Sequence, residues 1–434
     1  MSMSSGRRGV EVDDVRKESL WASEVPVPSS PRLEGDREVD LAIIGGGCTG
    51  LSCAYYAKMF RPDWSVIVLD SHGIGSGASS RNSGAVYAQH KGIDDDSMAR
   101  RGLDRLQRFV SEEEIECDFR PAPTLELFAS KGVANRFRSS PPQDTKWVRA
   151  EELRESIRSE HYTGALDSPD YFTLHPGKLT AGHARAATRV GAELFERSPA
   201  LEIISGRPSQ IVTPNGTVRA AHVFVAINAY APRLGLFAGN IFPVHQYSLA
   251  TRKLTDAEVS SFGLDRWPLR FELRVLPVTV GLTPSRQMFV RVVLGYASFN
   301  SCVWRDIEGA RDYARRIFEQ RYPWLADIDF AHEWHGVTGH TVRGREILGV
   351  VDGGHIHVSL AYNGLGVMPG HTNGYLTACR LAGRDDEDMR YLDTILDQIR
   401  VPGEFLRSMM LKPVMKLMAP TRSLSSHWVG PMKK

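Results

Sequence analysis

Three consecutive glycines, Gly45 to Gly47, break the chain directly after the apolar run Leu41–Ile44, and Gly50 follows after Cys48 and Thr49. This stretch, "VDLAIIGGGCTG", constrains the fold more than any other. An apolar run without alternation is the pattern of a strand covered on both faces, as in a parallel sheet. The next segment, "TGLSCAYYAKMF", carries small and apolar residues at helical spacing and stops at Pro62. "SVIVLD" reads as a second strand ending in Asp70. Strand, glycine turn, helix and strand form one unit of about thirty residues.

Gly45, Gly47 and Gly50 are spaced as G-x-G-x-x-G at the strand-to-helix turn. The first glycine permits the tight turn, the second lets the backbone approach a pyrophosphate, and the third lets helix and strand pack closely. A phosphate then rests on free N–H groups at the positive end of the helix. Asp70 lies twenty residues past Gly50, where a carboxylate accepts hydrogen bonds from ribose hydroxyls. A tight turn with no ligand is the competing reading, and the strand, helix and acid at the right distance argue against it. The motif alone does not separate NAD from FAD.

The 434 residues point to two domains, or to one large domain carrying an insertion. Residues 1–37 are polar and proline-bearing and are expected to form an extended arm, with Trp21 as its anchor. Residues 95–117 read as a charged helix and "TLELFAS" as a strand. "PGKLTAGHARAATRVGAELFE" reads as a helix that buries Leu179, His183, Ala187 and Val190, followed by a strand. "HVFVAINAY" is a nearly continuous apolar strand. Alternating runs over 241–305 predict an antiparallel sheet. "ARDYARRIFEQRYP" reads as a helix, "HIHVSLAY" as a last strand and "GLGVMPGHTNGYLTACRLAG" as a last helix. Parallel-type segments thus flank an antiparallel middle, the pattern of a discontinuous α/β domain with an inserted β-rich domain.

A net charge of +2, with basic residues spread out, gives no reason to expect a nucleic-acid partner. The five cysteines, Cys48, Cys53, Cys117, Cys302 and Cys379, form no CxxC pair and read as reduced thiols of a cytoplasmic protein. Cys48 and Cys53 read as small buried residues. No signal peptide is expected at the polar N-terminus, and no apolar run is long enough for a membrane span. The sequon at Asn215 therefore carries no meaning here. "HEWHGVTGH" lacks the HExxH spacing, because His332 and His335 are three apart, so no metal is expected. "MMLKPVMKLMAPTR" has a Met/Leu stripe with basic flanks; packing onto the body is the plain reading, a membrane-surface helix the alternative.

"GIGSGASSRNSGAVYAQ", residues 73–89, resembles the "G-x-G-A-S-x-R-N-x-G" segment of flavoproteins of the D-amino-acid-oxidase, glycine-oxidase and sarcosine-oxidase family, most of all its gamma-glutamylputrescine-oxidase-like branch. "LHPGKLTAGHARAATRVGAELFERSPALEI", "VFVAINAYAPRL" and "WHGVTGHTVRGREILGVVDGGHIHVSLAYNGLGVMPG" resemble later segments of that family in the same order. The resemblance implies an α/β fold: a Rossmann-like FAD-binding domain assembled from segments 38–105, 165–235 and 333–385. An inserted antiparallel-sheet substrate domain would comprise 106–164 and 236–332, with the arm 1–37 and a tail 386–434 outside both. By matching positions, Gly45, Gly47, Gly50 and Asp70 would hold the ADP half of FAD. Ser79, Arg81, Asn82 and Gly84 would lie along the pyrophosphate, ribityl chain and flavin. Asn363, Gly364, Leu365, Gly366 and Val367 would open the last helix against the flavin's pyrimidine edge. Family members with covalent flavin carry a histidine or cysteine where this chain has Arg81-Asn82 and Gly336, so non-covalent FAD is expected.

The activity implied is hydride transfer from a C–H next to nitrogen to the flavin, giving an imine and then a carbonyl. The substrate is an amine or amino acid and O2 the expected acceptor. Candidate substrate residues are Arg343, Arg291, His245 and Tyr247, with His340 or His335 facing the flavin. Two departures from the family pattern stand out. "TVRGREILG" places Arg343 where relatives carry an acid, which predicts a substrate with a distal acidic group. "VRVVLGYASF" lacks the lysine that sarcosine-oxidase relatives place near the flavin. That leaves open a flavin dehydrogenase or a biosynthetic flavoenzyme not using O2. A flavin domain of an RNA-modifying enzyme, or a flavin-binding protein without turnover, are the readings of other classes.

Overall fold

The computed structural model describes residues 18–409 apart from 26–28, 88–95, 143, 274–276, 297–305, 352–353, 393–397, 402, 404 and 406–408. Cys302 and the Met/Leu stripe beyond Met409 lie outside the described residues.

The strand Arg37–Ile44 is central to a mixed sheet. It pairs in parallel with Val66–Leu69 on one side and with Gly216–Val225 on the other. Glu193–Phe195 extends the sheet beyond Val66–Leu69, and Ile356–Leu360 pairs in parallel with Gly216–Val225. Alternation along the central strand separates two cores. Leu41 and Ile43 pack with the layer of helices Cys48–Phe60, Pro176–Arg189 and Val367–Leu381, while Ala42 and Ile44 pack with Val223, Val225 and Val358 on the other side. Burying each such leucine or isoleucine contributes about 1.5–3 kcal/mol, which is why this strand tolerates no polar residue between Leu41 and Ile44.

A second eight-stranded sheet runs in the order Phe330–His340, Phe242–Lys253, Gln287–Tyr296, Val278–Leu282, Leu269–Glu272, Thr124–Phe128, Gly164–Ser168, Lys146–Arg149. All its pairings are antiparallel except one, Leu269–Glu272 against Thr124–Phe128. One face is sealed by the helix Ile307–Arg321 through Ala310, Ala314, Ile317 and Phe318. The protein is thus α/β, a Rossmann-like domain beside a largely antiparallel sheet. The segment boundary expected at residue 333 falls inside the strand Phe330–His340, all of which pairs with the second sheet.

Two local expectations are altered. The apolar strand ends at Val225, and "NAYAPRL" forms a 3-10 turn containing Pro232, whose missing N–H cannot serve a ladder. The arm is not wholly extended: Leu20–Ser23 forms a helical turn whose Ser19 N-cap accepts from Ala22 N–H at 3.1 Å, with Leu20 and Trp21 buried. Among the described residues no helix is long and apolar enough to cross a membrane, and no cluster of three or more His, Cys, Asp or Glu is placed to hold a metal.

Candidate active site

A cleft of about 300 Å³ runs from the carboxyl end of the parallel strands to the face of the second sheet opposite the helix Ile307–Arg321. In open α/β sheets this end is where ligands bind.

At the first end the glycine turn is set by local sterics. Gly45 adopts φ 111°, and a Cβ there would lie 2.7 Å from Ala226 O. A Cβ on Gly47 would lie 2.7 Å from Ser79 Oγ, and one on Gly50 would collide with Gly45 O. Gly45 and Gly47 line the cleft, whereas Gly50 lies behind it and brings the helix Cys48–Phe60 against the turn. Gly47 caps that helix without a side chain, and its first amide, Cys48 N–H, donates to Ser79 Oγ at 2.9 Å. Asp70 lines the cleft, accepting from Gly46 N–H and His72 N–H, each at 2.9 Å. Burial pushes its carboxyl above the ordinary range, against these two donors that favour the charged form.

A second helix, Val367–Leu381, opens at the same cleft. A Cβ on Gly370 would sit 2.7 Å from Thr49 Oγ1, and one on Gly374 would sit 2.5 Å from Thr49 O. These two glycines let the helices cross closely and bring both positive N-termini to one cavity. Thr49 Oγ1 and Tyr362 OH lie 2.9 Å apart, and Tyr362 OH is 2.6 Å from Ser359 Oγ. Gly364, Leu365, Gly366 and Val367 line the cleft. Asn363, buried with φ 55°, does not. Its amide accepts from Thr341 N–H at 2.9 Å and donates to Ala361 O at 2.7 Å, stapling this loop to the strand Phe330–His340.

Ser79, Arg81 and Asn82 line the middle of the cleft. Arg81 donates from Nε to Ser76 O at 2.8 Å and from Nη1 to His335 O at 2.9 Å. Gly84 lies behind, with φ 69° and Leu174 O where a Cβ would be.

The sheet end is lined by Tyr87, Gln246, Ser248, Phe271 and Arg291. Ser248 pairs with Arg291, Arg291 with Thr279, and Thr279 with Phe271, so one register row places all four on one face. Arg291 donates to Thr279 Oγ1 at 3.1 Å. Among the described residues no carboxylate lies within ion-pair range of it. Burial lowers its guanidinium to about 10, only partly opposed by Tyr87. Burial pushes the Tyr87 phenol up, so it remains a hydrogen-bond donor.

The other substrate candidates stand elsewhere. Tyr247 and His245 are one residue out of step with Gln246 and Ser248 and lie on the opposite face, because strand side chains alternate. Tyr247 is buried among Leu249, Val290 and Val292 and donates to Glu333. Arg343 is exposed on the turn Thr341–Gly344 and does not line the cleft. His340 bonds Thr338 Oγ1 at 2.9 Å behind the lining residue Gly364. His335 is buried and contributes its carbonyl to Arg81. Reasoning from sequence passed over Tyr87, Gln246, Ser248 and Phe271. The alternation of polar Gln246 and Ser248 with Tyr247 and Leu249 was the available signal for two of them.

The geometry fits a dinucleotide cofactor: a glycine cradle with no room for a Cβ, two helix N-termini and an acid at a strand end. The description "FAD dependent oxidoreductase" of the DAO family matches residues 40–380. The chain is 28% identical to the probable oxidoreductase OrdL of Rhizobium meliloti (strain 1021) over 401 residues, covering 87% of this chain and 89% of that one. It is 30% identical over 215 residues to gamma-glutamylputrescine oxidoreductase of Escherichia coli (strain K12), covering 44% and 49%. Among solved structures it resembles glycine oxidase from Geobacillus kaustophilus with a TM-score of 0.70 at 18% identity, covering 85% of this chain and all of that one. The chain belongs to the DAO family of FAD-dependent oxidoreductases.

Proposed function

We propose that this enzyme oxidises a C–N bond of an amine or amino acid that also carries an acidic group, with O2 as acceptor. The observation that carries the reading is Arg291, a half-buried cation in the cleft with no carboxylate partner among the described residues. A charge drawn part-way out of water without a counter-ion is costly, and a substrate carboxylate would supply that counter-ion bidentately. Relatives named for gamma-glutamylputrescine and for glycine are consistent with substrates that bear both a nitrogen and a carboxylate.

Gly45, Gly47, Asp70, Ser79, Thr49 and the opening of the helix Val367–Leu381 would hold FAD. The chemistry the cofactor supplies is acceptance of a hydride from the C–H next to nitrogen. The chain's own residues do the rest. Arg291 fixes the acid end of the substrate, and Gln246 and Ser248 offer polar contacts along the same face. Tyr87 and Phe271 form walls that exclude water and favour the uncharged amine. Arg291 stands two strands across and two residues along from Gly336, roughly 12 Å between backbones by strand spacing and rise. This separation supports an acidic group set apart from the reacting bond. The test is oxygen uptake and peroxide release with amines and amino acids with and without a distal carboxylate. Turnover only with an artificial electron acceptor would replace the oxidase reading by a dehydrogenase.

A further inference from the structure

Three consecutive carbonyls in the cofactor-side loop are each held by a donor from a distant segment. Ser19 Oγ donates to Ser80 O at 2.5 Å, Trp334 Nε1 to Arg81 O at 3.2 Å, and Trp21 Nε1 to Asn82 O at 2.9 Å. Two of the three donors come from the arm. Side chains of the same loop, Ser79, Arg81 and Asn82, line the cleft. Each peptide unit is planar, so holding its carbonyl fixes the plane from which the next residue departs. The donors set the directions in which Arg81, Asn82 and Ser83, all cleft-lining residues, present themselves.

The arm is itself locked in place. Trp21 is 1% exposed and meets His175 and Phe289 edge-on, with ring centroids 5.0 and 6.0 Å apart. Its carbonyl lies where a Cβ on Gly177 would have to be, and the Glu24 carboxylate lies 3.0 Å from the buried His175 Nε2. Phe289 is two residues from Arg291 on the same strand, hence on the same face. One short segment therefore touches the loop that lines the cofactor end, the helix Pro176–Arg189 behind it and the strand that carries the cleft's cation.

We propose that Ser19 and Trp21 are positioning residues of the active site, holding loop 80–83 in its cofactor-binding geometry, so that the arm is part of the FAD site. This rests on the cleft being the FAD site. The test uses the full chain and its Ser19→Ala, Ser19→Thr and Trp21→Phe variants, stripped of FAD and titrated with it. Flavin fluorescence gives the Kd, the visible bands report the flavin environment, and melting of the apo-protein reports stability. Loss of one hydrogen bond to a buried carbonyl is expected to weaken FAD binding about tenfold in Ser19→Ala and in Trp21→Phe. Ser19→Thr, which keeps the hydroxyl and with it the cap of Leu20–Ser23, restores it, whereas the Ser19→Ala apo-protein, having lost that cap, melts lower than the wild type. A Ser19→Ala variant with a lower melting temperature but unchanged Kd and visible spectrum would show the arm to be structural only and overturn the proposal. Failure of the wild type to take up FAD would instead remove the reading on which it rests.

Discussion

Replacing Arg291 by methionine removes the cleft's cation while keeping most of its length. Desolvation lowers its guanidinium from its ordinary value to about 10. At 1.36 kcal/mol per pH unit, that is a cost on the order of 3 kcal/mol for keeping the charge in the free protein at neutral pH. The sign follows from burial disfavouring the charged form, so the cost is present below about pH 10. Arg291→Met should therefore melt no lower than wild type in the absence of substrate, and higher if the methionine packs well. A charge-assisted hydrogen bond to a substrate carboxylate contributes about 1.5–3 kcal/mol, so KM for the carboxylate substrate should rise roughly ten- to a hundredfold. Arg291→Lys should recover only part, since the planar fork is lost. Steady-state kinetics and thermal melting on the same preparations decide the matter. A lower melting temperature with unchanged KM would make Arg291 a structural residue and refute the reasoning.

Gly47→Val should abolish FAD content while leaving the apo-protein folded, since a Cβ there already lies 2.7 Å from Ser79 Oγ in the space a pyrophosphate would approach; flavin absorbance per protein measures it. Acid precipitation should release the yellow colour into the supernatant, because neither Arg81, Asn82 nor Gly336 offers a nucleophile for attachment; colour retained in the pellet would contradict this. The buried pair His183 and His371, with Nε2 and Nδ1 2.9 Å apart, should make the fold acid-sensitive. Burial lowers His183 to about 4 and His371 well below its ordinary value, so below pH 6.5 only the unfolded chain takes up these protons. Stability should then fall by about 1.4 kcal/mol per pH unit for each histidine as pH drops from 6.5 towards 4. Denaturant titrations should show a shallower pH slope in His183→Gln.

The central strand, the glycine turn and Asp70 were legible because each answers a local demand: two-sided burial, a turn no Cβ can enter, and a carboxylate at a fixed distance down the chain. The sheet end of the cleft was not. Whether Tyr247 or Ser248 faces the cavity depends on strand parity, and the register shift between His245 and Gln246 lies in pairing with strands far away in sequence. The resemblance drew attention to Arg343 because its charge departs from the family pattern. The turn Thr341–Gly344 holds it at the surface, while Arg291, the second arginine candidate, lies in an alternating run whose parity carries it to the cavity. The short strands Lys146–Arg149 and Gly164–Ser168 pair with partners the sequence does not indicate. Trp21 could be suspected of anchoring the arm, but its donation to Asn82 O joins residues sixty-one apart.

The most direct test of the account is anaerobic mixing of the purified yellow protein with a panel of amines, amino acids and gamma-glutamyl amines, followed by the flavin's visible absorbance. The account predicts bleaching by compounds that carry both an oxidisable C–N bond and a separate carboxylate, with recovery of colour on admitting air. Bleaching by none of them would contradict it and leave a flavin-binding protein without amine turnover.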